Sequence, residues 1–168
     1  MKLIHFSFLL GFCSLLCLSG CGKPANPDGR LDVSGTITFN GGPFEGANAT
    51  TMIFEPIDDK SSGASTVTFN PTTGKYLCTM QNGLKPGKYR VKIEAHAQYD
   101  RKTGQPVGPD FGSDFKEGEP ESSRSYFVSL VPPEFNKEST IEFEVVAGKK
   151  NVFDYNIETS YVPNTTPP

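Results

Sequence analysis

The chain has 168 residues, of which 36% are hydrophobic and 21% charged, with no tryptophan. That length accommodates one domain plus tails. The formal net charge is −3 and no run of five basic residues occurs, so nothing in the charge pattern suits a nucleic-acid partner.

The first element is apolar. Lys2 precedes FSFLLGFCSLLCL, from Phe6 to Leu18. About a dozen apolar residues are too few for a membrane-spanning helix, which needs roughly 20. A basic start, a short apolar core and small residues at its close predict a secretory signal over residues 1–20. Its last residues, Leu18-Ser19-Gly20-Cys21, resemble the lipobox of bacterial lipoprotein signal peptides: aliphatic, small, small, cysteine. The resemblance implies cleavage before Cys21 and acylation of that residue, making it a bilayer anchor. Gly22 in place of an aspartate implies the outer membrane. Removing 20 of the 168 residues leaves 148, with 15 basic against 19 acidic groups once Lys2 is gone.

Cys13 and Cys17 leave with the signal, so Cys78 is the single unmodified thiol and no internal disulfide is expected. In KYLCTM it alternates with Tyr76 and Met80, the pattern of a small buried core residue. Residues 21–30 form the lipidated tether: GKPANPDGR, from Gly22 to Arg30, has no apolar periodicity and spans at most about 30 Å.

From Leu31 the hydrophobic period is two. LDVSGTITF places Leu31, Val33, Ile37 and Phe39 on one face. NATTMIFEP is a second strand with Met52 and Phe54 inward. ASTVTF and GKYLCTM flank NPTTG and predict a hairpin. KYRVKIEA alternates most cleanly, with Tyr89, Val91, Ile93 and Ala95 inside. TIEFEVV buries Ile141, Phe143 and Val145, and VFDYNIE buries Phe153, Tyr155 and Ile157. Seven short strands and no helical period predict an all-β, antiparallel sandwich over residues 31–158. Residues 159–168, ending VPNTTPP, are expected to be a disordered tail.

VSGTITFNGGPFEGA, IFEP and NPTTGKYLCTMQNGLKPGKYRVKIEA together resemble the carboxypeptidase regulatory-like domain of the transthyretin-like superfamily, over about Leu31 to Ala97. The C-terminal segment from Leu130 to Ile157 looks like that of small envelope lipoproteins carrying this domain. The resemblance implies a seven-stranded Greek-key, transthyretin-like (prealbumin-like) sandwich and leaves function open. In the residues themselves, Gly35 stands where a side chain would project from the first strand toward its neighbours, and Gly74 and Gly87 stand at tight turns.

Enzymes of related fold do not transfer. Hydroxyisourate hydrolases use several histidines and intradiol dioxygenases bind iron with two, whereas the mature chain keeps only His96. Collagen-adhesin B-type domains need a first-strand lysine where this chain has Asp32, Ser34 and Thr36. A zinc site is disfavoured by the same counts, and no cofactor is expected. The connection from Gln98 to Ser125 is long enough to be functional or disordered. Its carboxylates, Asp110, Asp114, Glu117, Glu119 and Glu121, offer calcium ligands in principle but lack EF-hand spacing. Tyr99, Phe111, Phe115 and Tyr126 are the candidate partner contacts, and Tyr99, Tyr126 and Tyr161 the candidate free aromatics for a sugar. The sequence therefore predicts a non-catalytic, lipid-anchored envelope module that binds a protein or polymer, with carbohydrate binding as the alternative.

Overall fold

The computed structural model describes residues 28–58, 63–79, 81–107, 120 and 124–166. Among them nine strand segments form two sheets: β1 (Val33–Phe39), β2 (Ala49–Pro56), β3 (Ser65–Val67), β4 (Lys75–Cys78), β5 (Gly87–Asp100), β6 (Ser125–Ser129), β7 (Glu142–Val145), β8 (Asn151–Val152) and β9 (Tyr155–Ile157). The only helical turn described is a short 3₁₀ segment, Pro133–Phe135. The protein is all-β with two sheets.

One sheet is built on β1, which pairs antiparallel with β4 and parallel with β8 and β9. The other has the order β3-β2-β5-β6, with β7 also on β5. The 14-residue β5 is long enough to pair with β7 through Gly87–Arg90 and with β6 through His96–Asp100. Because strand side chains alternate between faces, the predicted inward sets fall between the sheets. Val33, Ile37, Met52, Phe54, Val91, Ile93, Ala95 and Ile157 are fully buried, and Phe39, Ile141, Phe143 and Tyr155 are half-buried against them. Phe54 sits at the centre, its ring 6.3–6.5 Å from those of Tyr76, Tyr89, Phe143 and Phe153. Outward residues of β5 meet opposite charges across the strands: Lys88 opposite Glu144, Arg90 opposite Glu142, and Lys92 in a 2.5 Å ion pair with Glu55.

Four expectations change. The sandwich is not wholly antiparallel, since the last segments run beside β1 in the same direction. β3 and β4 are not a hairpin: β3 pairs with β2 and β4 with β1, so the NPTTG turn crosses between sheets. Burial of Phe69 just before the turn, and hydrogen bonds from Phe44 N to Pro71 O and from Ile37 N to Gly74 O, pin the crossing. The long connection is shorter than Gln98–Ser125, because Gln98–Asp100 belong to β5 and Ser125 begins β6. The final predicted strand splits into β8 and β9 at Phe153–Asp154.

Gly35 explains the split. A Cβ at Gly35 would lie 2.0 Å from the Phe153 carbonyl oxygen. With no side chain there, that carbonyl turns inward and accepts a 2.8 Å hydrogen bond from the buried Tyr76 hydroxyl. Phe153 N–H reaches Ser34 O at 2.9 Å, and the Asp154 carboxylate takes over the Thr36 N–H at 2.7 Å. Burial, with the Asp154 and Cys78 groups adding to it, pushes the Tyr76 phenol far above its ordinary range.

Gly35→Ala is expected to cost about 2–4 kcal/mol in urea denaturation, through overpacking and loss of the Tyr76 bond. Tyr76→Phe should cost about 1–3 kcal/mol by leaving a buried carbonyl unpaired. The phenol's pKa is raised on folding, so its contribution is complete below the ordinary phenol pKa of 10.0 and falls as pH climbs past it. Denaturation midpoints across that alkaline range should fall less steeply in Tyr76→Phe than in the parent.

Candidate functional site

The strand directions give the sandwich two ends. β1 begins where residues 28–32 lead into the domain and finishes at Phe39, so the 40–48 turn, the 100–107 turn and the C-terminal segment gather at the far, distal end. Asn40 joins two of them. It takes a positive φ of 49°, which asparagine tolerates. Its side chain accepts from Thr159 N at 2.9 Å and donates to Thr159 O at 3.0 Å. The C-terminal segment thus starts from a fixed point. The tail does not hang free through residue 166: Tyr126 Oη donates to Thr165 O at 2.5 Å, and Tyr161 Oη lies 3.5 Å from Ser129 O.

Tyr99 and Tyr126 come together. They are partners in the β5–β6 register, with rings stacked at 5.8 Å and 25°. The Arg101 guanidinium lies 5.8 Å from the Tyr126 ring centroid. Tyr126 is only 7% exposed, so it supports the distal end from beneath rather than offering a face to a sugar. Tyr99 is half-buried. Asp100 caps the adjoining turn, accepting from Thr103 N, Thr103 Oγ1 and Lys102 N at 2.6, 2.9 and 2.9 Å. Those bonds hold its carboxyl below the usual carboxylate range. Cys21, Phe111, Phe115 and the carboxylates from Asp110 to Glu121 lie outside the described residues.

A cleft of about 380 Å³ opens beside the distal end, lined by Phe39, Gly42, Pro43, Glu45, Leu130, Tyr161 and Pro163. Tyr161 is one of the candidate sugar aromatics of the sequence, whereas Leu130 and Pro163 come from segments with no expected site. What the sequence does not show is the placement of Tyr161 and Pro163 beside Phe39, which follows from the hold of Asn40 on Thr159. Ring faces beside one exposed carboxylate can stack on a flat apolar surface and accept hydrogen bonds from hydroxyl or ammonium groups.

The thiol and the histidine occupy structural positions. Cys78 is buried, and its Sγ–H donates to Asn82 O at 2.7 Å. Burial pushes its pKa up, opposed by Arg30 and aided by Asp32, which leaves it a poor nucleophile. His96 lies within β5, opposite Ala49 and Ser129, rather than at a strand end, and is half-buried. Among the described residues no group of three or more His, Cys, Asp or Glu side chains could hold a metal ion. No helix among them is long and apolar enough to cross a membrane.

Fold and site together define a two-sheet, all-β module with a shallow distal cleft. No protein-family model matches the chain, and no curated protein matches it. Among solved structures, a candidate adhesin from Bacteroides ovatus aligns over 84% of this chain and 49% of its own, at 11% identity and a TM-score of 0.42. The chain spans about half of that protein's length, and a likeness of this size carries no argument about the present one.

Proposed function

We propose that the chain is a lipid-anchored protein of the bacterial cell envelope, on the outer membrane. It holds a non-catalytic, transthyretin-like β-sandwich at the bilayer and presents the distal end to an envelope protein or polymer. The observation that carries this reading is Leu18-Ser19-Gly20-Cys21 at the close of a short apolar run, ahead of a tether that leads into one end of a two-sheet domain. Each buried methylene of an acyl chain on Cys21 contributes about 0.8 kcal/mol, and two or more chains make anchoring stable. Confinement to a surface raises effective concentration, so a weakly binding distal site suffices. Tyr99, with Phe111 and Phe115 from the acidic connection, supplies the apolar contacts to such a partner.

A second reading, carbohydrate binding, is favoured by the distal cleft, where Tyr161 and Phe39 stand beside the carboxylate of Glu45. Of the three candidate aromatics, Tyr161 lines this cleft, whereas Tyr126 is covered.

Intact-mass analysis of the protein from host membranes tests the anchor. The expected species starts at Cys21 and is heavier by a diacylglyceryl group, and the Cys21→Ala variant lacks it; an unmodified parental mass sinks the anchored reading. A glycan array separates the two readings of the distal end. If the ligand is a sugar, Tyr161→Ala should weaken binding by about tenfold or more, the scale of one lost aromatic contact; no binding to any glycan removes the second reading.

A further inference from the structure

We propose that the tether end of the sandwich docks on anionic lipid headgroups through Lys149 and Lys150, which flank a groove on the outer face of the β1 sheet. This rests on the anchored reading and adds an orientation to it.

The point where the tether meets the domain is fixed. Leu31 N–H donates to Leu84 O at 2.7 Å, Leu84 N–H returns to Leu31 O at 3.1 Å, and Arg30 Nη1 donates to Gly83 O at 2.8 Å. A nine-residue tether from Gly22 to Arg30 reaches at most about 30 Å, while β5 alone extends its 14 residues over about 46 Å. An anchored Cys21 therefore always keeps this end within reach of the bilayer, and the distal end only when the domain lies flat.

The groove beside that entry point, about 380 Å³, is lined by Leu31, Asp32, Ser34 and Leu77 with Lys149 and Lys150. The groove adjoins a row across three strands on the same outer face. Ser34 is in register with Leu77 on one side and Val152 on the other, and those two side chains are 60% and 40% exposed. The lysines stand on a turn that is built rather than loose: Asn151, nearly buried, accepts from Val146 N at 2.9 Å and donates to Val146 O and Lys149 O at 3.3 and 3.4 Å. On the other sheet, outward cations face carboxylates. Here, among the described residues, neither Lys149 nor Lys150 makes an ion pair.

Charge points the same way. The mature chain carries 15 basic against 19 acidic residues. The described loops at this end reverse that balance, with Arg30, Lys85, Lys149 and Lys150 against Asp28, Asp32 and Asp58. Exposed aliphatic side chains rimmed by ammonium groups match an interface where phosphates overlie the glycerol region. Nucleotides or free acidic polymers would meet the charge but leave Leu77 and Val152 in water.

The test uses the mature chain carrying Cys21→Ala, so that no acyl chain contributes. Its co-sedimentation is measured with vesicles of phosphatidylglycerol and phosphatidylethanolamine, and with phosphatidylcholine vesicles. The expected result is binding to the anionic vesicles alone, weakened by salt. In the double variant Lys149→Glu, Lys150→Glu, partitioning should drop at least about 25-fold, near fivefold per lysine. Circular dichroism checks that this exposed-turn variant stays folded, and Lys137→Glu, in the turn that follows the 3₁₀ segment and outside the groove lining, should bind as the parent does. Equal binding to neutral vesicles, parental binding by the double variant, or displacement by a soluble acidic polysaccharide at matched charge would each overturn the proposal. The two readings fail separately. Loss of lipidation leaves this vesicle binding intact, and absent vesicle binding leaves the Cys21 mass shift intact.

Discussion

The carbonyl of Phe153, seated in the space that a side chain at residue 35 would fill, is the contact on which the rest of the fold depends. It lets the returning chain lie against β1 from Val33 to Phe39 while keeping a break at Phe153–Asp154. The break is compensated locally, by Tyr76 on the carbonyl and by Asp154 on the Thr36 amide. Phe54, in the opposite sheet, packs on Tyr76 and on Phe153. One glycine thus couples strand pairing in one sheet to aromatic packing across the interior. A buried hydroxyl with an acceptor strengthens the core, whereas the same group without one weakens it, so Gly35 and Tyr76 act as a unit.

β1 also sets the polarity of the molecule. Because β8 and β9 run parallel to it, the chain leaves the sandwich at the end opposite to the one it enters. A wholly antiparallel last strand would have returned the C-terminal segment to the tether. Instead Thr159 meets Asn40, Tyr161 and Pro163 complete the distal cleft, and Thr165 caps Tyr126. The end where the chain enters holds the 81–86 and 146–150 segments, with Lys85, Lys149 and Lys150. Separation of the end where the chain enters from the end where it leaves follows from strand direction alone.

Period-two alternation made the inward faces legible: every residue assigned to the interior of the strand starting at Lys88 is buried there. The local pattern could not reveal pairing partners. NPTTG has hairpin chemistry, and Asn70 N does reach Lys75 O at 2.9 Å, yet the flanking strands belong to different sheets because Phe69 and Tyr76 are both drawn into the shared core. β6 was hidden because Tyr126, Phe127 and Val128 are a short unbroken apolar run between serines, of which Tyr126 and Val128 are the buried pair. Their burial comes from β5, whose polar end at Gln98 and Asp100 also read as loop. Gln98 is held there by Ser125 across the pair, at 2.8 Å. The distal cleft escaped for a similar reason, since its walls come from segments about 90 to 120 residues apart in sequence.

That distance decides what kind of site the distal end can be. Its aromatic residues divide by their neighbours: Tyr126 has its hydroxyl bound and its ring stacked, so its energy goes into the fold. Phe39 and Tyr161 keep part of their surface open on either side of a single carboxylate. An open, shallow contact of that size excludes little water and supplies few directed hydrogen bonds, which limits it to weak association. Weak association is functional only when the two partners are held near one another. Under the proposed anchoring at Cys21, a cleft of this quality at the far end of the sandwich would be complementary to the anchor, which would supply the concentration that the cleft by itself lacks.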